Sequence, residues 1–139
     1  MFRLVAFVLM ILPQVAEADI YARLSVLFGD PEVPEEACSV NPVYSRFTDD
    51  HNRAVFSWGH PVPSYTGAMI TAYGSTVLWA DAGSITMVRD HETRLTPEGD
   101  KVLWIMRATD QPEGYCWHRI DWPDDSCLQL VRCPSEGNS

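Results

Sequence analysis

The chain has 139 residues, 46% of them hydrophobic, and its 19 acidic and 10 basic side chains give a formal net charge of −9 at pH 7. This length suits one domain with a single core and is too short for two comfortable ones. An acidic surface repels nucleic acid and anionic membranes, so we expect neither as a partner.

The N-terminal segment has the pattern of a secretory signal peptide. Arg3 is followed by an unbroken run of nine apolar residues, 4–12, which is far short of the roughly 20 that a membrane-spanning helix needs. Small residues at Ala16 and Ala18 are those that a signal peptidase reads. The pattern therefore predicts cleavage before Asp19.

We accordingly expect two parts, a signal peptide over residues 1–18 and a single disulfide-stabilised β domain over residues 19–139. Removal of 18 residues takes away one basic and one acidic side chain, so the mature chain of 121 residues keeps its net charge of −9. The protein is predicted to be secreted or periplasmic, without membrane attachment after signal removal. In such an oxidising compartment an even number of cysteines predicts two disulfides. The cysteines are Cys38, Cys116, Cys127 and Cys133.

Residues 19–29 fit both a helix and a strand, because their apolar positions match both periodicities. Asp19 is suited to be an N-cap and Gly29 to stop a helix, which favours a short helix lying on the rest of the domain. Downstream, turn signals alternate with short runs rich in aromatic and β-branched residues. These runs predict eight or nine strands, over residues 43–48, 54–58, 68–73, 76–80, 84–89, 92–96, 101–108, 115–120 and 127–132.

The connections between these strands are short, so they can join only antiparallel neighbours. The sequence therefore predicts an all-β fold, either an up-and-down barrel or a small sandwich, and the barrel is favoured because closure removes exposed edges. The pattern resembles the lipocalin-like barrels in architecture, and a barrel of about eight strands can hold one small ligand. The Gly-x-Trp that opens typical lipocalins is missing, since Ser57-Trp58-Gly59 has another order and place, and no family is assigned.

Alternation along the strands predicts which side chains fill the core. We expect Trp104 and Trp117 to lie on adjacent antiparallel strands, and large aromatic residues in strands to be buried. The predicted core comprises Phe47, Phe56, Trp58, Trp79, Ile85, Val102, Trp104 and Trp117.

The stretch EGYCWHRIDWPDDSC, residues 113–127, is the densest group of chemically capable residues. Cys116 and His118 are its only close pair of potential zinc ligands, and His51, His60 and His91 lie far away in sequence. Its aspartates, Asp121, Asp124 and Asp125, are typical of a turn. No known catalytic, phosphate-binding or haem-attachment motif occurs, so we predict no catalytic residues, no metal and no cofactor.

The same stretch constrains how the cysteines pair. Cys127 and Cys133 are six residues apart, about 20 Å along a strand or about 9 Å along a helix, whereas bridged Cα atoms lie within about 7 Å, so this pair is disfavoured. A hairpin closed by a four-residue loop, 123–126, would place Cys116 opposite Cys133 and leave Cys38 for Cys127. If the last segment is a helix, Cys116 with Cys127 and Cys38 with Cys133 is favoured instead.

Two functions from different classes follow as expectations. The first is a secreted, non-enzymatic binding module that holds a small apolar or amphipathic ligand inside the barrel. The second is a protein-binding module, such as an inhibitor of a secreted hydrolase, in which an acidic loop, 30–36 or 121–125, docks on a basic secreted protein. An enzyme without a recognisable motif is the third alternative. A cavity of several hundred cubic ångströms favours the first, and a filled interior with a conspicuous surface loop favours the second.

Overall fold

Eight antiparallel strands close into a barrel in which each strand pairs with the next along the chain and the last pairs with the first. This computed structural model describes residues 15–135, with side chains from residue 19 onward. Residues 1–14 of the predicted signal peptide lie outside the described part of the chain. The elements are α1 (Val15–Leu24), β1 (Leu27–Gly29), a 3-10 helix (Pro34–Glu36), β2 (Val43–Phe47), β3 (Arg53–Pro63), β4 (Met69–Ala80), β5 (Ser84–Arg89), β6 (Trp104–Asp110), β7 (Glu113–Arg119) and β8 (Leu128–Arg132).

The barrel closes through β1, which has only three residues. Phe28 pairs with Val43 of β2 on one side and with Arg132 of β8 on the other. The all-β fold, the antiparallel order and the barrel rather than the sandwich are thus confirmed. Closure leaves the sheet without a free edge strand along its paired length, as the sequence argument required.

The two ends of the barrel differ, and we name them for what covers them. The helix end is covered by α1, whose Ile20 and Leu24 are fully buried in the core. Arg23 fixes the helix there by donating hydrogen bonds to the Thr109 carbonyl at 2.9 Å and to Asp110 Oδ1 at 2.5 Å. The loop end carries the connections 30–42, 64–68, 90–103 and 120–127.

The helix begins four residues before Asp19 and ends at Leu24, and Gly29 lies in β1. The predicted N-cap at Asp19 and helix stop at Gly29 are therefore wrong. The helix and the strand that this segment was compatible with both occur, one after the other. Its first part is helical and its last part is the strand that closes the barrel. Gly29 is required for a different reason, since a Cβ there would lie 2.6 Å from the Cys38 nitrogen.

Most predicted strands match observed ones, with two exceptions. The predicted strands 68–73 and 76–80 form one continuous strand, β4, which runs through Gly74 in the gap predicted between them. Gly74 is accommodated there because the Arg53–Asp90 ion pair crosses its outer face, and a Cβ would lie 2.5 Å from the guanidinium. Residues 92–96 are not a strand but part of the 90–103 connection, which has one isolated bridge, Leu95 to Lys101.

Alternation correctly predicts much of the interior. Phe56, Ile85, Val102 and Trp104 are buried, and Phe47, Trp58 and Trp117 are half-buried against the core. Trp104 and Trp117 lie on the adjacent strands β6 and β7 with their rings stacked, their centroids 5.0 Å apart.

Trp79 was predicted to be buried, and this is wrong, because 54% of its surface is exposed. The reason is a register shift in the pairing of β4 with β5. Val77 pairs with Met87, but Trp79 pairs with Thr86, so Leu78 is one extra residue. A bulge of this kind moves every later side chain to the opposite face.

The disulfides join Cys38 to Cys133 and Cys116 to Cys127, with Cα separations of 5.4 and 5.5 Å. The favoured pairing was therefore wrong, and the pairing tied to a final helix is present although the final segment is the strand β8. Register explains this, because Cys116 lies opposite Gln129 rather than Cys133. The disfavoured pairing of Cys127 with Cys133 does not occur.

Candidate functional site

The centre of the barrel is occupied by side chains. Phe28, Phe56, Met87 and Met106 point inward and are almost completely buried. Interior positions of small barrels are commonly filled in this way. A ligand held at the barrel centre would have to displace these side chains, so the candidate site lies elsewhere.

A groove of about 460 Å³ opens at the loop end, and we call it the rim groove. One wall is the connection between β1 and β2, which contains the 3-10 helix. The other wall is the last part of β3. The lining residues are Val33, Glu35, Glu36, Val40, Asn41, His60, Pro61, Val62, Pro63 and Met69.

The groove exists because β3 continues beyond the start of β2. Their pairing ends where Val43 faces Trp58, so within residues 15–135 no strand lies beside the part of β3 after Trp58 on that side. Asn41 takes the place of a strand there. Its side chain donates to the His60 carbonyl at 2.9 Å and accepts from the His60 N–H at 3.0 Å. These two bonds hold the connection at a fixed distance from β3.

Two prolines on this part of β3 limit the backbone hydrogen bonds that its edge can form. Pro61 and Pro63 have no backbone N–H, and the N–H of His60 is already bonded to Asn41. An added peptide strand would find few donors along this edge. The groove therefore suits an occupant held by apolar contact rather than one held by main-chain hydrogen bonds.

The groove surface is mainly apolar. Val62 is buried in its floor, while Val40 and Met69 keep 57% and 61% of their surfaces exposed. Exposed large apolar residues that share one concave surface commonly indicate a binding site.

Acidic side chains lie on the rim. Glu35 is exposed and Glu36 is half-buried. Burial, together with the negative charges of Asp30 and Glu35, raises the pKa of Glu36, partly offset by a hydrogen bond with the Trp58 side chain. Negative charge is therefore concentrated beside an apolar surface.

A cluster of cation–π pairs and a buried carboxylate lies toward the loop end of the barrel. The Arg89 guanidinium lies over the Tyr73 ring, 3.9 Å from its centroid, and the Arg94 guanidinium lies 3.8 Å from the centroid of Tyr65. Glu92 lies beneath Arg94 and accepts hydrogen bonds from it and from Trp104 Nε1. Through Glu92 and Arg94 this cluster contacts the buried Trp104 of the core.

Among the residues singled out in the stretch 113–127, a disulfide and an ion pair are formed. Cys116 and Cys127 are bonded to each other, and the Asp121 carboxylate is paired with Arg119 at 2.8 Å. His118 is half-buried, with its Nδ1 lying 3.1 Å from the Arg119 carbonyl.

The remaining candidates are dispersed. Asp124 and Asp125 are exposed, and His51, His60 and His91 lie in three separate parts of the barrel. Within residues 15–135, no group of three or more His, Cys, Asp or Glu side chains is arranged to hold a metal ion. Of the two acidic loops, only 30–36 contributes to the groove lining.

Sequence reasoning identified the acidic loop but missed the groove beside it. The available signal was the run His60-Pro61-Val62-Pro63, in which two prolines interrupt a strand-like pattern. Such a run indicates an edge position. It does not show which loop lies against that edge.

Comparison of the chain with protein-family models, with curated proteins and with solved structures gives no match. Within the described part of the chain, no helix is both long and apolar enough to span a membrane.

Proposed function

We propose that this protein is an exported, non-enzymatic binding protein that holds a small apolar or amphipathic ligand in the rim groove. The observation that carries the proposal is the groove itself, an apolar concavity of about 460 Å³ with a fixed wall on each side. Small-molecule sites typically measure about 300 to 1,000 Å³ and combine an apolar lining with a few polar groups. The filled interior disfavours a ligand at the barrel centre and taken alone would favour the protein-binding alternative. The small ligand is preferred because a groove of several hundred cubic ångströms lies at the rim and its edge offers few donors to a peptide strand.

Binding of an apolar probe tests the proposal directly. The neutral dye phenylnaphthylamine, which fluoresces when it leaves water, should bind the purified protein with a saturable signal. Val40→Asp and Met69→Asp each put a charge into the apolar lining at a position exposed enough for the fold to tolerate it. Each should weaken dye binding by about tenfold or more, because a charge is costly to desolvate.

Leu95→Asp is the matched control, since Leu95 is equally exposed and does not line the groove. It should leave dye affinity unchanged. Equal affinity in all three variants, or no saturable binding by the parent protein, would contradict the proposal.

Export is part of the same proposal. It is supported by the two disulfides, which form and persist in oxidising compartments. Mass spectrometry of protein recovered from the periplasm or medium should give a chain that begins at Asp19. Recovery of the uncleaved chain in the membrane fraction would show that the N-terminal segment is retained.

A further inference from the structure

The charges around the rim groove are of one sign. Glu35 and Glu36 line it, and Asp30 and Glu32 lie in the same connection. His60 is the other ionisable residue of the lining, and among the described residues neither Lys nor Arg lines it. An occupant therefore meets an apolar surface and a negative potential together.

Among the described residues, none of these carboxylates forms an ion pair with a basic side chain. The ion pairs of the described residues use other acids, namely Asp90, Glu92, Asp110, Glu113 and Asp121. Asp30 instead accepts a hydrogen bond from the Glu32 N–H at 2.9 Å. The negative charge of the connection is thus left for solvent or for a ligand.

The position of Glu36 makes this charge more than a solvated surface feature. Its side chain is half-buried beside the apolar lining, and the pKa of its carboxyl is raised by burial and by the neighbouring acids. Both effects arise because the charged form is poorly solvated and repelled. A positive group placed next to Glu36 would relieve that repulsion.

We infer that the ligand of the rim groove is a cationic amphiphile, with an apolar body against Val40, Val62 and Met69 and a positively charged head beside Glu35 and Glu36. This inference rests on the proposed function and names the chemical class of its ligand. A small amphiphile is favoured over a peptide strand because Pro61 and Pro63 deprive the neighbouring edge of donors.

Three amphiphiles with the same decyl chain and different heads test the inference. Decyltrimethylammonium, decyl maltoside and decanoate, each below its micelle concentration, compete for the dye-binding site in low-salt buffer. The cationic compound should bind roughly tenfold more tightly than the neutral one, as expected of a partly exposed ion pair, and decanoate should bind most weakly. The preference should shrink as salt is added.

Charge removal shows where the preference arises. The double variant Glu35→Gln and Glu36→Gln should bind the neutral maltoside as before and lose most of its preference for the cation. Asp124→Asn with Asp125→Asn is the matched control, because it removes the same charge from exposed positions outside the lining. It should keep the preference.

The outcomes separate this inference from the proposed function. If all three amphiphiles bind with equal affinity and Met69→Asp weakens the binding of each, the groove is a binding site and the inference of a cationic ligand is wrong. An equal loss of preference in the two double variants would attribute the effect to overall charge and overturn the inference. If none of the amphiphiles displaces the dye, or Met69→Asp has no effect, the proposed function fails as well.

Discussion

The Glu92 carboxylate accepts more hydrogen bonds than any other carboxylate among the described residues. Its removal therefore tests how the loop end of the barrel is held together. Only 3% of its side chain is exposed. It accepts hydrogen bonds from Arg94 Nε at 2.6 Å, from Arg94 Nη2 at 3.0 Å and from Trp104 Nε1 at 3.2 Å. We expect Glu92→Ala to destabilise the fold more than the loss of any other ion pair.

The magnitude follows from what the substitution leaves behind. Trp104 is buried, so its Nε1–H would lose its partner at a cost of about 1 to 3 kcal/mol. Arg94 adds less than a fully buried cation would, because 32% of its side chain is exposed and can turn to water. The free energy of unfolding should therefore fall by about 2 to 3 kcal/mol.

Glu113→Ala is the matched control, because Glu113 also forms an ion pair, with Arg132 at 2.9 Å, but is 58% exposed. Its cost should be below about 1 kcal/mol. Urea unfolding followed by tryptophan fluorescence measures both. Equal shifts of the two midpoints at constant slope would refute the assignment of a structural role to the Glu92 cluster.

The pH dependence gives the same cluster an independent signature. Burial alone would raise the pKa of Glu92, but the hydrogen bonds from Arg94 and Trp104 outweigh it and lower the pKa below its ordinary value. A lowered pKa stabilises the fold at pH values above the ordinary value of about 4.3, and this contribution is lost as the pH falls through the lowered pKa. The stability difference between the parent and Glu92→Ala should accordingly shrink in acid.

Three further substitutions test the barrel itself. Ser75→Ala should raise stability by about 1 kcal/mol in urea unfolding, because within the described chain the buried Ser75 Oγ has no hydrogen-bond partner, and an unchanged or lower midpoint would contradict this. Gly114→Ala should destabilise the fold by about 3 kcal/mol or prevent folding, since its Cβ would clash with the Leu130 carbonyl and come within 2.9 Å of the Val131 Cα. A circular dichroism spectrum and a urea midpoint equal to those of the parent would contradict this. Cys38→Ser should lower the free energy of unfolding by about 4 to 5 kcal/mol and Cys127→Ser by about 3 kcal/mol, because the disulfide of Cys38 closes a much longer loop. Equal losses of stability measured by calorimetry would contradict the explanation by loop entropy.

The strand pattern was predictable where it depended on local sequence alone. Alternation placed Phe56, Ile85 and Trp104 in the core because a closed sheet has one inner face throughout. The prediction failed at Trp79, where one extra residue reverses the faces, and nothing in the local sequence marks that bulge. The predicted break between two strands at Gly74 was wrong because the feature that accommodates this glycine within β4, the ion pair of Arg53 with Asp90, joins residues 37 positions apart.

The prediction of the disulfide pairing was wrong for a related reason. Choosing between the possible pairings required the register of β7 with β8, and that register depends on the length of the connection between them. A four-residue loop was assumed, whereas Trp117 pairs with Leu128 and the connection is longer. The rim groove was unpredictable in the same sense, because Asn41 and His60 meet across 19 residues and only the fold shows that they do.

The N-terminal helix decides whether the predicted cleavage is compatible with this fold. Cleavage before Asp19 falls within α1 and removes its first turn, but the residues that reach the core, Ile20 and Leu24, lie after the cut. The remaining residues, 19–24, still include Arg23, whose hydrogen bonds to Thr109 and Asp110 at the end of β6 are kept. Burial of two such side chains contributes about 3 to 6 kcal/mol, so a chain that begins at Ser25 should unfold at a much lower urea concentration than one that begins at Asp19. Equal midpoints for the two chains would mean that the helix end is closed without this helix, and would remove the physical reason for expecting the mature chain to start no later than Asp19.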